Sequence, residues 1–112
     1  MSSPLTTHVL DTSRGLPAAG VEVSVCRLVK DDWQNIGRGV TNADGRCADL
    51  LKSGDLTRGV YRLRFETQAY FVKNQLRAFY PYVDVIFEVL DEKHHHVPLL
   101  LSPFAYSTYR GS

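Results

Sequence analysis

The amino-acid sequence predicts an all-β fold: an antiparallel β-sandwich of seven to eight short strands with one short helix. Three observations carry this. Apolar and polar residues alternate along most of the chain. The apolar set is rich in β-branched and aromatic side chains. Gly, Pro, Asn and Asp punctuate the runs at short intervals. Alternate side chains of a strand point to opposite faces, so each run can bury one face and wet the other.

Leu5 to Leu10 forms the first strand, and Gly15-Leu16-Pro17 with Ala19-Gly20 closes the loop after it. From Val21 to Leu28 the valines fall on one face. Lys30-Asp31-Asp32 makes a hairpin connection to a third strand, Trp33 to Thr41. Asn42-Ala43-Asp44-Gly45 is a strong turn signal, because Asn, Asp and Gly tolerate left-handed backbone. In Val60 to Glu66, Tyr61, Leu63 and Phe65 face one way, and Arg62, Arg64 and Glu66 the other. Thr67 to Gln75 departs from period two. Thr67 is a possible N-cap, and Tyr70, Phe71 and Asn74 stand at helical spacing, so this segment is the short helix. Val83 to Val89 returns to alternation. Val97 to Leu101 and Tyr106 to Tyr109 are the last strands, parted by a turn at Ser102-Pro103. A sandwich this small has edges to protect, and the aromatic C-terminal strand is a good place for oligomerisation.

The 112 residues give one domain spanning 1–112. With 44% hydrophobic residues, 22% charged residues and a net charge of +1, nothing suggests nucleic acid as a partner. No apolar stretch is long enough to span a bilayer. Met1 to Thr7 lacks the charged and apolar regions of a secretory signal, and the chain does not end in the peroxisomal Ser-Lys-Leu address. Cys26 and Cys47 form no CxxC motif and read as reduced packing residues. The expected location is intracellular: the cytoplasm, with the peroxisome as the alternative.

Several polar groups look out of place. His8 interrupts the first apolar strand, Arg46 follows the Asp44-Gly45 turn, and His94-His95-His96 leads into Val97 to Leu101. Tyr109, Arg110 and Ser112 lie in a terminus that is aromatic and β-prone almost to its end. By alternation His94 and His96 share a face and His95 points to the other. Each has an ordinary reading: a hydrogen-bonded rim histidine, a solvated turn arginine, a polar start to a strand, a soluble tail. Convergence would change the chemistry. Imidazole titrates near neutrality, so one ring can take a proton from water while a second positions substrate or protonates a leaving nitrogen. An arginine can clamp a planar imide-like edge or stabilise an oxyanion. Together these groups suit hydrolysis of a small cyclic amide. The sequence has no GxSxG elbow, P-loop or GxGxxG, which argues against a covalent acyl-enzyme. The rival chemistry is a zinc site of His94, His96 and His8, which lacks a carboxylate or cysteine at familiar ligand spacing.

At these residues the chain resembles the 5-hydroxyisourate hydrolase family, the transthyretin-related enzymes of purine catabolism. The resemblance covers nearly the full length. It rests on Leu5-Thr6-Thr7-His8-Val9-Leu10-Asp11, Thr41-Asn42-Ala43-Asp44-Gly45-Arg46-Cys47, Phe79-Tyr80-Pro81-Tyr82-Val83, and His96-Val97-Pro98-Leu99-Leu100-Leu101-Ser102-Pro103 running into Tyr106-Ser107-Thr108-Tyr109-Arg110-Gly111-Ser112. It implies a prealbumin/transthyretin-like sandwich assembled as a homotetramer, a dimer of dimers with active sites at the subunit interface. The implied substrate is 5-hydroxyisourate, opened by water to 2-oxo-4-hydroxy-4-carboxy-5-ureidoimidazoline without cofactor or metal. His8, Arg46 and His96 would be catalytic, with the choice of base open between the histidines. Tyr109, Arg110 and Ser112 would line or close the pocket. His95 stands where the family commonly has an aromatic residue, and His94 carries no family role and reads as solvated. The alternative within the fold is a transthyretin-like carrier of a hydrophobic aromatic ligand such as thyroid hormone. Carriers lack the counterparts of His8, Arg46, His96 and the Tyr-Arg-Gly-Ser ending.

Overall fold

The computed structural model describes residues 3–112. Its strands are β1 (Leu5–Asp11), β2 (Leu16–Pro17), β3 (Glu22–Val29), β4 (Asp32–Val40), β5 (Arg46–Cys47), β6 (Gly59–Phe65), β7 (Val83–Val89), β8 (His95–Ser102) and β9 (Ala105–Thr108). One helix, α1 (Thr67–Lys73), separates β6 from β7. The period-two runs have become strands with alternating burial. Leu5, Thr7, Val9 and Asp11 of β1 point inward, and Thr6, His8 and Leu10 point outward. In β6 Tyr61, Leu63 and Phe65 are buried.

Two sheets face each other. One runs β2-β1-β8-β9, with β5 also paired to β1; the other runs β4-β3-β6-β7. Between them lies a core containing Leu5, Val9, Val23, Leu63, Phe65, Phe71, Leu99 and Leu101. Fully burying each such side chain contributes about 1.5–3 kcal/mol. The hairpin between β3 and β4 turns at Lys30 and Asp31, whose φ angles of 49° and 68° fit the two-residue reversal that strand twist favours.

Three features differ from the sequence expectation. The sandwich is not wholly antiparallel, because β1 and β8 run parallel, from Leu5 beside His95 to Asp11 beside Leu101. Parallel neighbours need a long crossover, and nearly the whole chain lies between these two strands. Nine strands form among the described residues, because Leu16–Pro17 and Arg46–Cys47 each add a two-residue pairing to β1. Thr67 is not the N-cap: Glu66 holds that position without a side-chain cap bond, and Thr67 is buried in the first turn. The helix stops before Gln75, whose left-handed φ of 62° breaks it. Its inward Tyr70 donates a 2.7 Å hydrogen bond to the fully buried Asp11 carboxylate, tying α1 to β1. Among the described residues, no helix is long and apolar enough to cross a membrane.

Candidate functional site

Arg46 is placed by the turn before it. The Gly45 N–H donates to the Asn42 carbonyl at 2.8 Å. Asn42 Oδ1 accepts the backbone N–H groups of Asp44 and Arg46 at 2.9 and 3.0 Å. Gly45 has a φ of +74°, and a Cβ there would stand 2.5 Å from the Val9 carbonyl oxygen, so the close approach to β1 requires glycine. The Val9 N–H donates back to the Gly45 carbonyl at 2.8 Å. With the turn fastened to β1, β5 pairs in a register that sets Arg46 opposite His8 and Cys47 opposite Thr7. Cys47 turns into the core and Arg46 stays exposed.

His96 is placed by the parallel ladder. Thr6 and His8 share the outward face of β1, and Thr6 lies beside His96 in register. Thr6 Oγ1 sits 2.8 Å from His96 Nδ1 and 3.1 Å from His94 Nε2. The chain end closes over the same ring. The Gly111 N–H donates to the His96 carbonyl at 2.7 Å. A Cβ at Gly111 would lie 2.6 Å from His96 Cδ2, so only glycine lets the backbone pack against this imidazole.

Thr6, Arg46, Cys47, His94, His96 and Ser112 line one cavity of about 190 Å³, with Thr7 and Ala48. Burial, followed by the positive charge of Arg46 and the neighbouring His8 and His94, holds His96 below the usual histidine range. Its ring is therefore neutral at neutral pH and able to accept a proton. Burial, reinforced by the hydrogen bond to the Asp49 side chain, pushes the Cys47 thiol up to about 11. A thiol so firmly protonated is a poor nucleophile.

The structure thus brings Arg46, His96 and Ser112 to one cavity, with His8 on the adjoining β1 position opposite Arg46. Tyr109 and Arg110 do not join them within one chain. They line a different cavity of about 310 Å³ with Val85, Phe87 and His95. Tyr109 is 58% exposed. The charge of Arg110 helps, after the Lys93 N–H, to hold Asp91 below the usual carboxylate range, so it acts on the far side of the strand. The β8–β9 register sets Gly111 opposite the outward His96 and Arg110 opposite the inward Val97, so the two fall on different faces. Leu99 pairs with Thr108, and His96 pairs with Gly111 in the same register, but Pro98 between them has no N–H to donate. Regular pairing lapses at Tyr109 and Arg110 and resumes at Gly111.

Three residues of this cluster escaped the sequence reading. Thr6 is an ordinary strand threonine until its neighbour across the sheet is known. Gly111 shows its purpose only against the His96 ring. His94, read as solvated, is exposed but shares the Thr6 hydroxyl with His96. His95 points inward at 4% exposure, and its Nδ1–H donates to the Lys93 carbonyl at 2.7 Å. Among the described residues, no three His, Cys, Asp or Glu side chains are grouped to hold a metal. A larger cavity of about 640 Å³, bordered by Ile36, Arg38, Asp49 and Lys52, contains no histidine.

Comparison with known proteins gives the family. Residues 5–111 match the model of the HIUase/Transthyretin family. The mouse protein named 5-hydroxyisourate hydrolase is 48% identical over 99% of this chain and 97% of its own length. Among solved structures, 5-hydroxyisourate hydrolase of Klebsiella pneumoniae superposes with a TM-score of 0.85 at 37% identity, covering 100% of both chains. Sea bream transthyretin in complex with thyroxine superposes with a TM-score of 0.92 at 34% identity, covering 97% of this chain and 95% of its own. The chain belongs to the HIUase/Transthyretin family.

Proposed function

We propose that this protein is a cofactor-independent hydrolase that opens the ring of 5-hydroxyisourate to 2-oxo-4-hydroxy-4-carboxy-5-ureidoimidazoline in urate degradation. The observation that carries the reading is the cavity where Arg46 and a neutral, hydrogen-bonded His96 meet beside His8. His96 takes a proton from water as the water oxygen attacks a ring amide carbonyl. Arg46, which has no carboxylate partner among the described residues, stabilises the oxyanion that develops. The ring carbon–nitrogen bond then breaks, and the leaving nitrogen receives a proton. His8 orients substrate or assists that transfer, and Ser112 borders the bound ring.

Tyr109 and Arg110 belong to the site only in an assembly. We place them at active sites completed between subunits of a homotetramer, a dimer of dimers; their exposure just beyond the edge strand β9 supports this. Two buried, unpaired thiols favour a reducing compartment, the cytoplasm ahead of the peroxisome.

The second reading is a carrier of an aromatic ligand, favoured by the higher TM-score to transthyretin. A backbone match cannot separate two functions on one fold, and two histidines and an arginine suit proton transfer better than an apolar ligand. The test is the ultraviolet absorbance of freshly generated 5-hydroxyisourate mixed with untagged, chelator-treated protein. Accelerated decay is expected. Decay at the spontaneous rate, together with tight thyroxine binding, would establish the carrier instead.

A further inference from the structure

The hydroxyl of Thr6 lies between two imidazoles, 2.8 Å from His96 Nδ1 and 3.1 Å from His94 Nε2. A threonine hydroxyl has one proton to donate and lone pairs to accept with. Donating to one ring, it accepts from the other, so the chain of three groups has two arrangements. In the first, His96 Nδ1–H donates to Thr6 Oγ1 and Thr6 donates to His94 Nε2. His96 Nε2 is then bare and basic. In the second, every bond is reversed: His94 Nε2–H donates to Thr6, Thr6 donates to His96 Nδ1, and His96 Nε2 carries a proton and is acidic.

We propose that Thr6 and His94 form a proton relay that carries charge from the half-buried His96 ring to the solvent-exposed His94 ring and back within each turnover. The inference rests on the hydrolase reading above and adds His94 and Thr6 to it. As water attacks the substrate carbonyl, a carbon–oxygen bond forms and the water proton passes to His96 Nε2. The Nδ1 proton moves to Thr6 Oγ1, and the Thr6 hydroxyl proton moves to His94 Nε2. His96 remains neutral, and His94 holds the positive charge. When the ring carbon–nitrogen bond breaks, the Nε2 proton goes to the leaving nitrogen and the relay runs in reverse. The protein gains and loses no proton over the cycle.

The physical reason for a relay is the setting of His96. It is half-buried, and Arg46, His8 and His94 bring the charges that bear on it; its depressed proton affinity reflects both. A charge left on this half-buried ring would add to the positive charge of Arg46 that already opposes its protonation. His94 is exposed and water stabilises its cation.

The experiment compares kcat and KM for freshly generated 5-hydroxyisourate in the wild-type protein, Thr6→Val, Thr6→Ser and His94→Ala, with and without added imidazole. Thr6→Val keeps the shape and loses the hydroxyl, and is expected to lower kcat about tenfold or more while KM stays within about twofold. Thr6→Ser restores the wild-type rate. His94→Ala lowers kcat, and free imidazole reaching the vacated exposed position restores it in proportion to concentration. A merely structural role predicts no such rescue. If Thr6→Val fails to fold, the His94→Ala rescue decides. Wild-type kcat in His94→Ala, or a loss that imidazole never relieves, overturns the relay and leaves the hydrolase reading standing. A wild-type protein without turnover overturns both.

Discussion

His95 and His96 are the same residue type at adjacent positions of one strand, yet they do different work. His95 points between the sheets, 4% exposed, with its Nδ1–H spent on the Lys93 carbonyl. His96 points outward, half-buried, with Nδ1 on the Thr6 hydroxyl and Arg46 and Ser112 sharing its cavity. Nothing intrinsic to imidazole separates them. The pleat does, because a one-residue step moves a side chain to the other face of the sheet. A cluster of three histidines therefore divides into a packing residue, a cavity-lining residue and, on the loop before the strand, an exposed partner.

Groups that act through His96 sharpen the contrast. Among the groups around His96, Arg46→Gln should show the largest loss, about 10²–10³ in kcat, because it removes the cation facing the developing oxyanion. It should also move the acid limb of the remaining activity. Burial, and after it Arg46, holds His96 low, so removing the Arg46 charge lets the ring protonate more readily, and the base form is lost at a higher pH. A pH–rate profile checks the direction. Gly111→Ala should have the next largest effect. Its Cβ would stand 2.6 Å from His96 Cδ2, so the ring or the chain end must shift. A loss of about tenfold in kcat is expected, since small misplacements of a reacting group are costly. Circular dichroism should show the fold unchanged.

Tyr70→Phe should have the smallest effect on turnover, within about twofold, since it lies away from the cavity. It leaves the buried Asp11 carboxylate without its 2.7 Å donor and should lower stability by about 1–3 kcal/mol, read by denaturant unfolding. A large activity loss in Tyr70→Phe would show that the site depends on the core more than the two-face picture allows.

Alternation made most of the strands legible, because period two is a local signal that survives in the fold. The parallel pairing of β1 with β8 was not legible. It joins residues from opposite ends of the chain, and neither strand's local pattern records its partner's direction. Everything that depended on that pairing was hidden with it. Thr6 gained a role only when His96 came beside it, and His94 only when both faced one hydroxyl. His8, Arg46 and His96 could be picked out because polar residues interrupt apolar strands or follow a turn. Tyr109 and Arg110 could be picked out but not placed. Arg110 leaves the cavity because the register that pairs His96 with Gly111 sets it opposite the inward-pointing Val97, and that register depends on a different strand. The N-cap at Thr67 failed because that side chain is claimed by the core.

His96, and not its neighbour, is the residue proposed to carry the reaction. The most direct test is to measure hydrolysis of freshly generated 5-hydroxyisourate and the thermal midpoint together for His95→Asn and His96→Asn. His96→Asn should lose about 10²–10⁴ in kcat with its midpoint little changed. His95→Asn should keep kcat within about twofold and lose about 1–3 kcal/mol of stability. Equal kcat losses in the two variants, or wild-type turnover in His96→Asn, would contradict the account.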